Sequence, residues 1–525
     1  MGRTRLLTTL AVLALCETAS ATNGPKLTAV GPRAAGRGGV DYAFADDGIG
    51  PYNNPAGMAF VYGNRFDNNW AVIRTDTTFT LNDLDGFKSE LNNTKQIFIP
   101  VPALSFGATF DPSHSWEVWN VFKLGDWGLH DEPTPEELEE LAGMSDEELR
   151  YGSRLRLGFG VFPVSGGKVK LDNMLTRGFG TAGNRRPVDW EANVLAVAIT
   201  PSVAVRFAPW ISAGISLQLI HSSFELDGGI AQPARVLRDD FELANSILSV
   251  NPQVITEADI DDAFTWAFSF RVGIMLQPTD FLTIGLVYQD RTYSADYLGR
   301  ALVDSTDEIN RLTNGNPSLL QLVDPAVDPG RGFASEYDLR IQGYEFPRQF
   351  GIGFALRPHR RFSIGFDYTF IGYEEVSKTF KVRLSNGSNP NMDIIVSPTI
   401  PVRVPLRYKN QHVFAVGLSL LALEGDEIVE GVPGWGLMLR AGYNYGENPV
   451  PNNTTLPQVP AIAEHHVSGG MSLTVGPYLE FSFAVEHAFR LSPLTIGNHV
   501  GDYTLSNASQ DVKLWLFHFG IGVNF

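Results

Sequence analysis

The sequence predicts an all-β protein, a transmembrane antiparallel β-barrel of about fourteen strands with an N-terminal hatch, or plug, ahead of the first strand. Three observations predict it. Apolar residues alternate with small or polar ones from about residue 65 to the carboxyl terminus. Short proline-bearing turns alternate with long polar connections. Beyond the first 21 positions there is no run of the eighteen or so apolar residues that a membrane helix needs. Mean hydropathy is −0.04, as in a soluble chain, because only alternate residues of a barrel strand meet lipid.

Taken in order, the chain opens with Arg3 and Arg5, an apolar stretch over 6–16, and the small residues Ala19, Ser20 and Ala21. This is the layout of an export signal, so 1–21 is expected to be removed and the mature chain to start near Thr22. Cys16, the sole cysteine, falls inside that signal. Leu15 before it is too large for lipoprotein processing. An exported chain without disulfides fits an envelope protein held by a closed hydrogen-bonded sheet. The formal net charge of −18 excludes nucleic acid as a partner and argues against anionic lipid as well.

Residues 22–64 show no alternation and are rich in glycine, alanine, asparagine and proline. They are too long for a leader and too apolar for a solvated tail, which suits a segment folded into the lumen. Gly36, Arg37, Gly38 and Gly39 lack the Lys-Ser/Thr pair of a phosphate loop and no strand precedes them, so they read as a tight turn.

The barrel is expected over 65–525. Ile211, Ala213, Ile215, Leu217 and Leu219 alternate with Ser212, Gly214, Ser216 and Gln218; Phe362 to Phe370 and Leu479 to Val485 repeat the design. Tight turns fall at 208–210, 278–280, 357–360 and 476–477, each with a proline. Long connections, expected to be extracellular, fall near 81–95, 165–187, 225–262, 294–338, 375–407, 447–462 and 491–510. Two stretches break the pattern. An acidic one at 133–150 reads as helix on the short-turn side, and 231–262 has helical spacing and reads as part of an outer loop. At the end, Trp515, Phe517, Phe519, Ile521, Val523 and Phe525 share one face, and His518, Gly520, Gly522 and Asn524 the other. A last strand ending on Phe525 has the form of an assembly signal, with Trp515, Phe517 and Phe519 on its apolar face, which makes the barrel assembly machinery an expected partner.

The stretch AGRGGVDYAFADDGIGPYNNPAGMA, centred on Asn54, Pro55 and Ala56, resembles the hatch of the FadL/TodX family of outer-membrane transporters for long-chain fatty acids and other hydrophobic compounds. TPSVAVRFAPWISAG at 200–214, FPRQFGIGFALRP at 346–358 and LRAGYNYGENPVP at 439–451 resemble the same family in the same order. The resemblance implies a monomeric, fourteen-stranded barrel in the Gram-negative outer membrane, closed by the hatch. Independently of the resemblance, His487 and His518 sit in strands without a nucleophile motif, so no enzyme activity and no cofactor are expected. A hydrophobic ligand would be caught among outer loops, passed to an inner pocket and released sideways into outer-membrane lipid, through a gap made by an inward kink in the third strand. That strand is expected over 154–164, where Pro163, followed by Gly166 and Gly167, either marks the gap or simply ends the strand.

Asn54, Pro55 and Ala56 read first as a structural turn and second as a gate element at the ligand pocket, and the two are not exclusive. A fatty-acid carrier needs a cation for the carboxylate. By strand parity Arg156, Arg206, Arg271 and Arg440 face inward, and Arg156, Arg271 and Arg440 are the candidates, against the plainer reading as lumenal ion pairs. His465 and His466 point to opposite faces and lack further ligands, so no metal site is expected. A general porin would need an open charged lumen and no plug, and a structural or adhesive barrel would act through its acidic loops; both stand as alternatives.

Overall fold

A computed structural model describes residues 26–525 apart from 45–46, 62, 83–87, 92–97, 100–104, 113–152, 176–186, 234–252, 323, 396–397, 430–431, 456–461, 497–498, 501–502 and 505–507. The export signal at 1–21, the first residues of the expected hatch and the acidic stretch 133–150 lie outside the described residues.

The strands used below are β1 (Arg65–Asn82), β2 (Ser105–Phe110), β3 (Leu155–Leu175), β4 (Pro187–Ile199), β5 (Ser202–Ala208), β6 (Ile211–Pro233) and β7 (Gln253–Thr279). They continue with β8 (Leu282–Gln289), β9 (Tyr297–Asp304), β10 (Ala334–Gln342), β11 (Gln349–His359), β12 (Phe362–Ile371), β13 (Thr379–Ser385) and β14 (Thr399–Pro405). The last five are β15 (Gln411–Glu424), β16 (Trp435–Gly446), β17 (His465–Val475), β18 (Leu479–Phe489) and β19 (Ala508–Asn524). Each pairs antiparallel with its neighbour. The ring runs β1, β2, β3, then β4 and β5, β6, β7, β8, β11, β12, β15, β16, β17, β18 and β19. It closes where β19 pairs with β1, from Arg65↔Asn524 to Leu81↔Ala508. Closure joins the two terminal strands, which would otherwise leave their backbone polar groups unpaired in lipid. The main sheet counts 23 strand segments among the described residues, because several passages are broken into pieces.

The alternation places side chains as the pattern requires. On β19, Trp515 and Phe519 are exposed outward, while Leu514, Leu516, His518 and Gly520 are buried inward. Phe207, Trp210, Phe281 and Tyr478 stand exposed at the short-turn rim. A second belt, toward the long connections, holds Tyr368 with His412, Tyr443 with His465, and His487 with Trp515. Tyr478 and Phe489, eleven residues apart on or beside β18, span about 36 Å along the strand and about 25 Å in height at the usual tilt, the apolar band of a barrel in a membrane.

Three expectations about connections are corrected. β3 runs through Pro163 to Leu175 instead of ending near residue 164. The stretch 253–262, read as helical, is the start of β7 and pairs with β6 from Leu226↔Ile260 to Pro233↔Gln253; its Val254, Ile255, Thr256 and Ile260 suit a strand once a partner is present, and pairing overrides the local spacing. The connections at 294–338 and 375–407 contain β9, β10, β13 and β14, which prolong the β7 side of the wall beyond the second belt.

Inside the ring lies the N-terminal segment: helix α1 (Pro32–Gly36), helix α2 (Gly50–Asn53) and a 3-10 turn (Pro55–Phe60). Nearly all of its described residues are buried. Gly38 and Gly39 have φ of 71° and 88°, so the expected tight turn needs the left-handed region that glycine enters freely.

Candidate functional site

The segment is held by side chains the wall turns inward. Asn54 caps the 3-10 turn, accepting from the Ala56 N–H at 3.1 Å and donating to the Tyr42 carbonyl at 2.7 Å. Ser212 donates to the Ala56 carbonyl (2.8 Å), Arg206 to the Ala59 carbonyl (2.8 Å) and Ser216 to the Pro51 carbonyl (2.7 Å). On the opposite wall Asp367 accepts from the Asp41 and Tyr42 N–H groups at 2.8 and 3.0 Å. Arg65 ties Asp67 (2.6 Å) and Glu480 (3.0 Å) together, and Arg33 of α1 also engages Glu480. Buried ions so paired resist separation strongly, because breaking the pair strands a charge.

The expected carboxylate-binding arginines are all buried, and each has partners of its own. Arg156 donates to the Gly63 carbonyl (2.9 Å) and meets Asp111 (3.1 Å). Arg440 donates to Ser472 at 2.5 Å and packs under Gly36. Arg271 donates to the Asn53 carbonyl (3.2 Å) and to Gln289, and lies 4.8 Å from the Tyr52 ring centre. Its Nε has no hydrogen-bond partner among the described residues. Burial pushes the Tyr52 hydroxyl up to about 12 despite the lowering by Arg271. Burial first, then Arg271, holds the Lys26 amine well below the usual lysine range. His465 faces outward to Tyr443 (2.8 Å) and His466 inward to Glu486 (2.9 Å).

Above the segment, toward the long connections, the lumen is apolar. Phe162, its ring tilted against Tyr52 with centres 5.3 Å apart, pairs across the sheet with Ala198, and from Ala198 a column continues through Val164, Ala196, Ile220, Ala267 and Phe346. Ile371, Leu514 and Leu516 border it. Tyr344 and Phe380, 6.1 Å apart, join it to a cluster under β9, β10 and β13 that includes Tyr337, Leu339 and Leu384. Burial pushes the Tyr344 hydroxyl up to about 12. In the wall beside this column both polar atoms of buried Gln218, and the Thr200 hydroxyl, have no partner among the described residues. A cavity of about 310 Å³, lined by Phe60, Val61, Tyr478 and Phe525 among others, opens instead at the short-turn rim. It lies across the segment from the column and is no part of it.

The strand edge beside Phe162 is the other feature. The β2–β3 ladder extends only from Phe110↔Leu157 to Phe106↔Val161 among the described residues. Gly160 exchanges both backbone hydrogen bonds with Thr200 of the β4 side, so by alternation Pro163 turns its backbone toward β2. The proline therefore sits where a missing N–H removes no bond to β4, and its register with Val197 is kept. A bulge follows at Val164, after which Gly166 and Gly167 pair normally with Leu195 and Val194. Beyond Val161 on that side, the described residues include an isolated bridge from Lys26 to Ser165. Asn54, Pro55 and Ala56 are thus brought against β5, β6 and β7, whereas Pro163, Gly166 and Gly167 lie on the neighbouring wall.

Sequence reasoning missed the column and the Lys26 bridge. The available signal for the column was loss of alternation: Leu514, Trp515, Leu516 and Phe517 are apolar on both faces, as a strand is when lipid lies on one side and an apolar lumen on the other.

Comparison with known proteins agrees with this geometry. Residues 186–493, more than half of the chain, match the family described as outer membrane protein transport protein (OMPP1/FadL/TodX). No curated protein sequence matches. Among solved structures, the Pseudomonas putida toluene transporter TodX is similar at TM-score 0.62 and 15% identity, over 97% of this chain and 100% of that one. The Ralstonia pickettii toluene transporter TbuX aligns at 0.61 and 14%, over 95% and 99%. A Pseudomonas aeruginosa FadL homologue aligns at 0.61 and 16%, over 96% and 100%. At such identities the structures speak for the fold, a closed antiparallel barrel. With the family match, they make this chain a member of the OMPP1/FadL/TodX family of transport proteins, resident in the Gram-negative outer membrane and not an enzyme.

Proposed function

We propose that this protein passively conducts hydrophobic small molecules inward across the outer membrane, as a monomer whose long connections face outward and whose residues 22–64 act as the hatch. With β4 and β5 counted as one strand interrupted at Thr200 and Pro201, we count fourteen passages among the described residues. The observation that carries the reading is the apolar column that ends at Phe162 and Val164, against the stretch of β3 beyond the last described β2–β3 pair, Phe106↔Val161. An aqueous porin would have a charged, hydrated lumen at that level. An adhesive barrel would have no use for the column.

In this reading cargo descends from the outer clusters, stops above Tyr52, and leaves between β2 and β3 past Pro163. Sideways exit keeps an alkyl chain out of water, which would cost about 0.8 kcal/mol per methylene. The partnerless Gln218 and Thr200 are suited to one neutral hydrogen-bonding group, so the favoured cargo is uncharged or weakly polar. The free Nε of Arg271 supports a second reading, a fatty acid with its carboxylate turned to that guanidinium. Replacing Arg271→Gln should then weaken palmitate binding about tenfold and leave an alkane unaffected.

The decisive experiment seals the edge. Pro163→Val combined with Gly166→Thr and Gly167→Val should reduce uptake at least tenfold, while bound cargo seen by native mass spectrometry and barrel assembly stay unchanged. Undiminished uptake by a variant whose structure shows a continuous β2–β3 ladder would overturn lateral exit.

A further inference from the structure

Net charge argues against an anionic partner for the molecule as a whole, yet the charge is unevenly placed. Residues 378–409 carry six cations, Lys378, Lys381, Arg383, Arg403, Arg407 and Lys409, against one acid, Asp393, in a chain of net charge −18. The strands here, β13 and β14, form a hairpin between β12 and β15, beyond the belt marked by Phe370 and His412. One face of the hairpin and of β10 is buried: Leu339, Ile341, Leu384 and Ile400 belong to the outer apolar cluster. On the opposite, exposed face Arg340 is directly across from Arg383, and Lys381 directly across from Arg403.

Like charges directly opposite on a sheet are destabilising, and here two such pairs are neighbours. Arg340 has Asp296 beside it; no ion pair among the described residues involves Lys381, Arg383 or Arg403. The acids of β10, Glu336 and Asp338, lie farther along the strand from Gln342, and Asp338 is already bonded to Asn386 (2.7 Å). The cations therefore gather on the side of the sheet nearer the membrane belt and the anions on the far side.

We propose that the face formed by Arg340, Lys381, Arg383 and Arg403 binds the phosphorylated sugar headgroup of an outer-leaflet glycolipid of the lipid A type. Charge complementarity and position fix the occupant. Closely spaced guanidinium and ammonium groups bind phosphate through charge-assisted hydrogen bonds, and basic residues just outside an apolar band meet headgroups first. The face points away from the lumen, so the site is separate from the conduit and takes from the proposed function only its orientation.

The test uses the full chain in nanodiscs of phosphatidylcholine doped with diphosphoryl lipid A. Wild type should retain lipid A through native mass spectrometry more than dephosphorylated lipid A, and 0.5 M salt should lower the retention. In K381Q/R383Q/R403Q, half-saturation should need about tenfold more lipid A; Lys381→Arg should behave as wild type. Equal retention of the phosphorylated and dephosphorylated lipids by wild type, or an unchanged triple variant, would overturn the proposal. If the triple variant misassembles, as judged by loss of its heat-dependent gel shift, the phosphate and salt comparisons on wild type still decide. Hydrophobic uptake and surface labelling of Lys381→Cys by an impermeant maleimide are measured in parallel, so failure of the conduit or of the orientation is read separately.

Discussion

A Cβ added to Gly273 would overlap Asn54 Oδ1, and one added to Gly214 would come within 2.6 Å of the Pro55 carbonyl carbon. These two wall positions admit the Asn54–Pro55–Ala56 turn only because they carry no side chain. Asn54 is fully buried and bonds both ways within the segment, so it has little room to give. Gly273→Val is therefore expected to lift the turn off the wall without disturbing the β6–β7 ladder. In planar bilayers the variant should show ion leak several-fold above wild type, with normal amounts of folded barrel in the membrane. A variant as tight as wild type would mean that the turn does not close the lumen.

At the scale of an element, docking of the N-terminal segment is linked to protonation through Lys26. Its amine is depressed in the docked state by burial and by Arg271, so the docked state binds fewer protons than a released one between the lowered value and the ordinary lysine value near 10.5. Docking should strengthen as pH rises through that window and be weakest below it. Lys26→Met should remove this component, measured as the difference between the two proteins in leak against pH; parallel profiles would refute the assignment. The segment also shows where sequence reading stops. Its existence follows from composition and its turn from Gly38 and Gly39, and the inward faces of Arg156, Arg271 and Arg440 from period two. What they meet in the segment, Gly63, Asn53 and, against Arg440, Gly36, does not follow, since contacts between a nonrepetitive segment and a distant wall leave no periodic trace. Pro163 was legible as a break, but not on which side of β3 the ladder stops, which depends on whether the proline falls at an odd or even place relative to Gly160.

For the whole molecule, closure rests on the seam between β1 and β19, with Arg65 and Asn524 459 residues apart in sequence. Asn64 and Phe525 exchange backbone hydrogen bonds of 3.0 and 2.9 Å beyond its last pair. With the first and last strands paired to each other, unfolding cannot start from either end of the sheet. The unboiled protein should migrate differently from the boiled one on a denaturing gel, and deleting Phe525 should sharply reduce the folded form in the membrane; normal levels after deletion would count against the terminal strand as the assembly signal. The architecture and the membrane were legible because period two survives in almost every strand. The extended outer wall was not, because β9, β10, β13 and β14 cover a buried cluster beyond the bilayer, where polar outward faces resemble loop.

The seam also sets an order of events. Its ladder joins the earliest strand to the latest, and contacts so distant in sequence form slowly. No chain lacking that strand can satisfy them, since the donor and acceptor that finish the ring belong to Phe525, paired with Asn64 far upstream. A product truncated anywhere in its final strand would hold every preceding hairpin and still present two raw edges to the periplasm. Closing the ring thus doubles as a test of completeness: a surveillance protease need recognise nothing about this sequence, only a sheet that has stayed open too long.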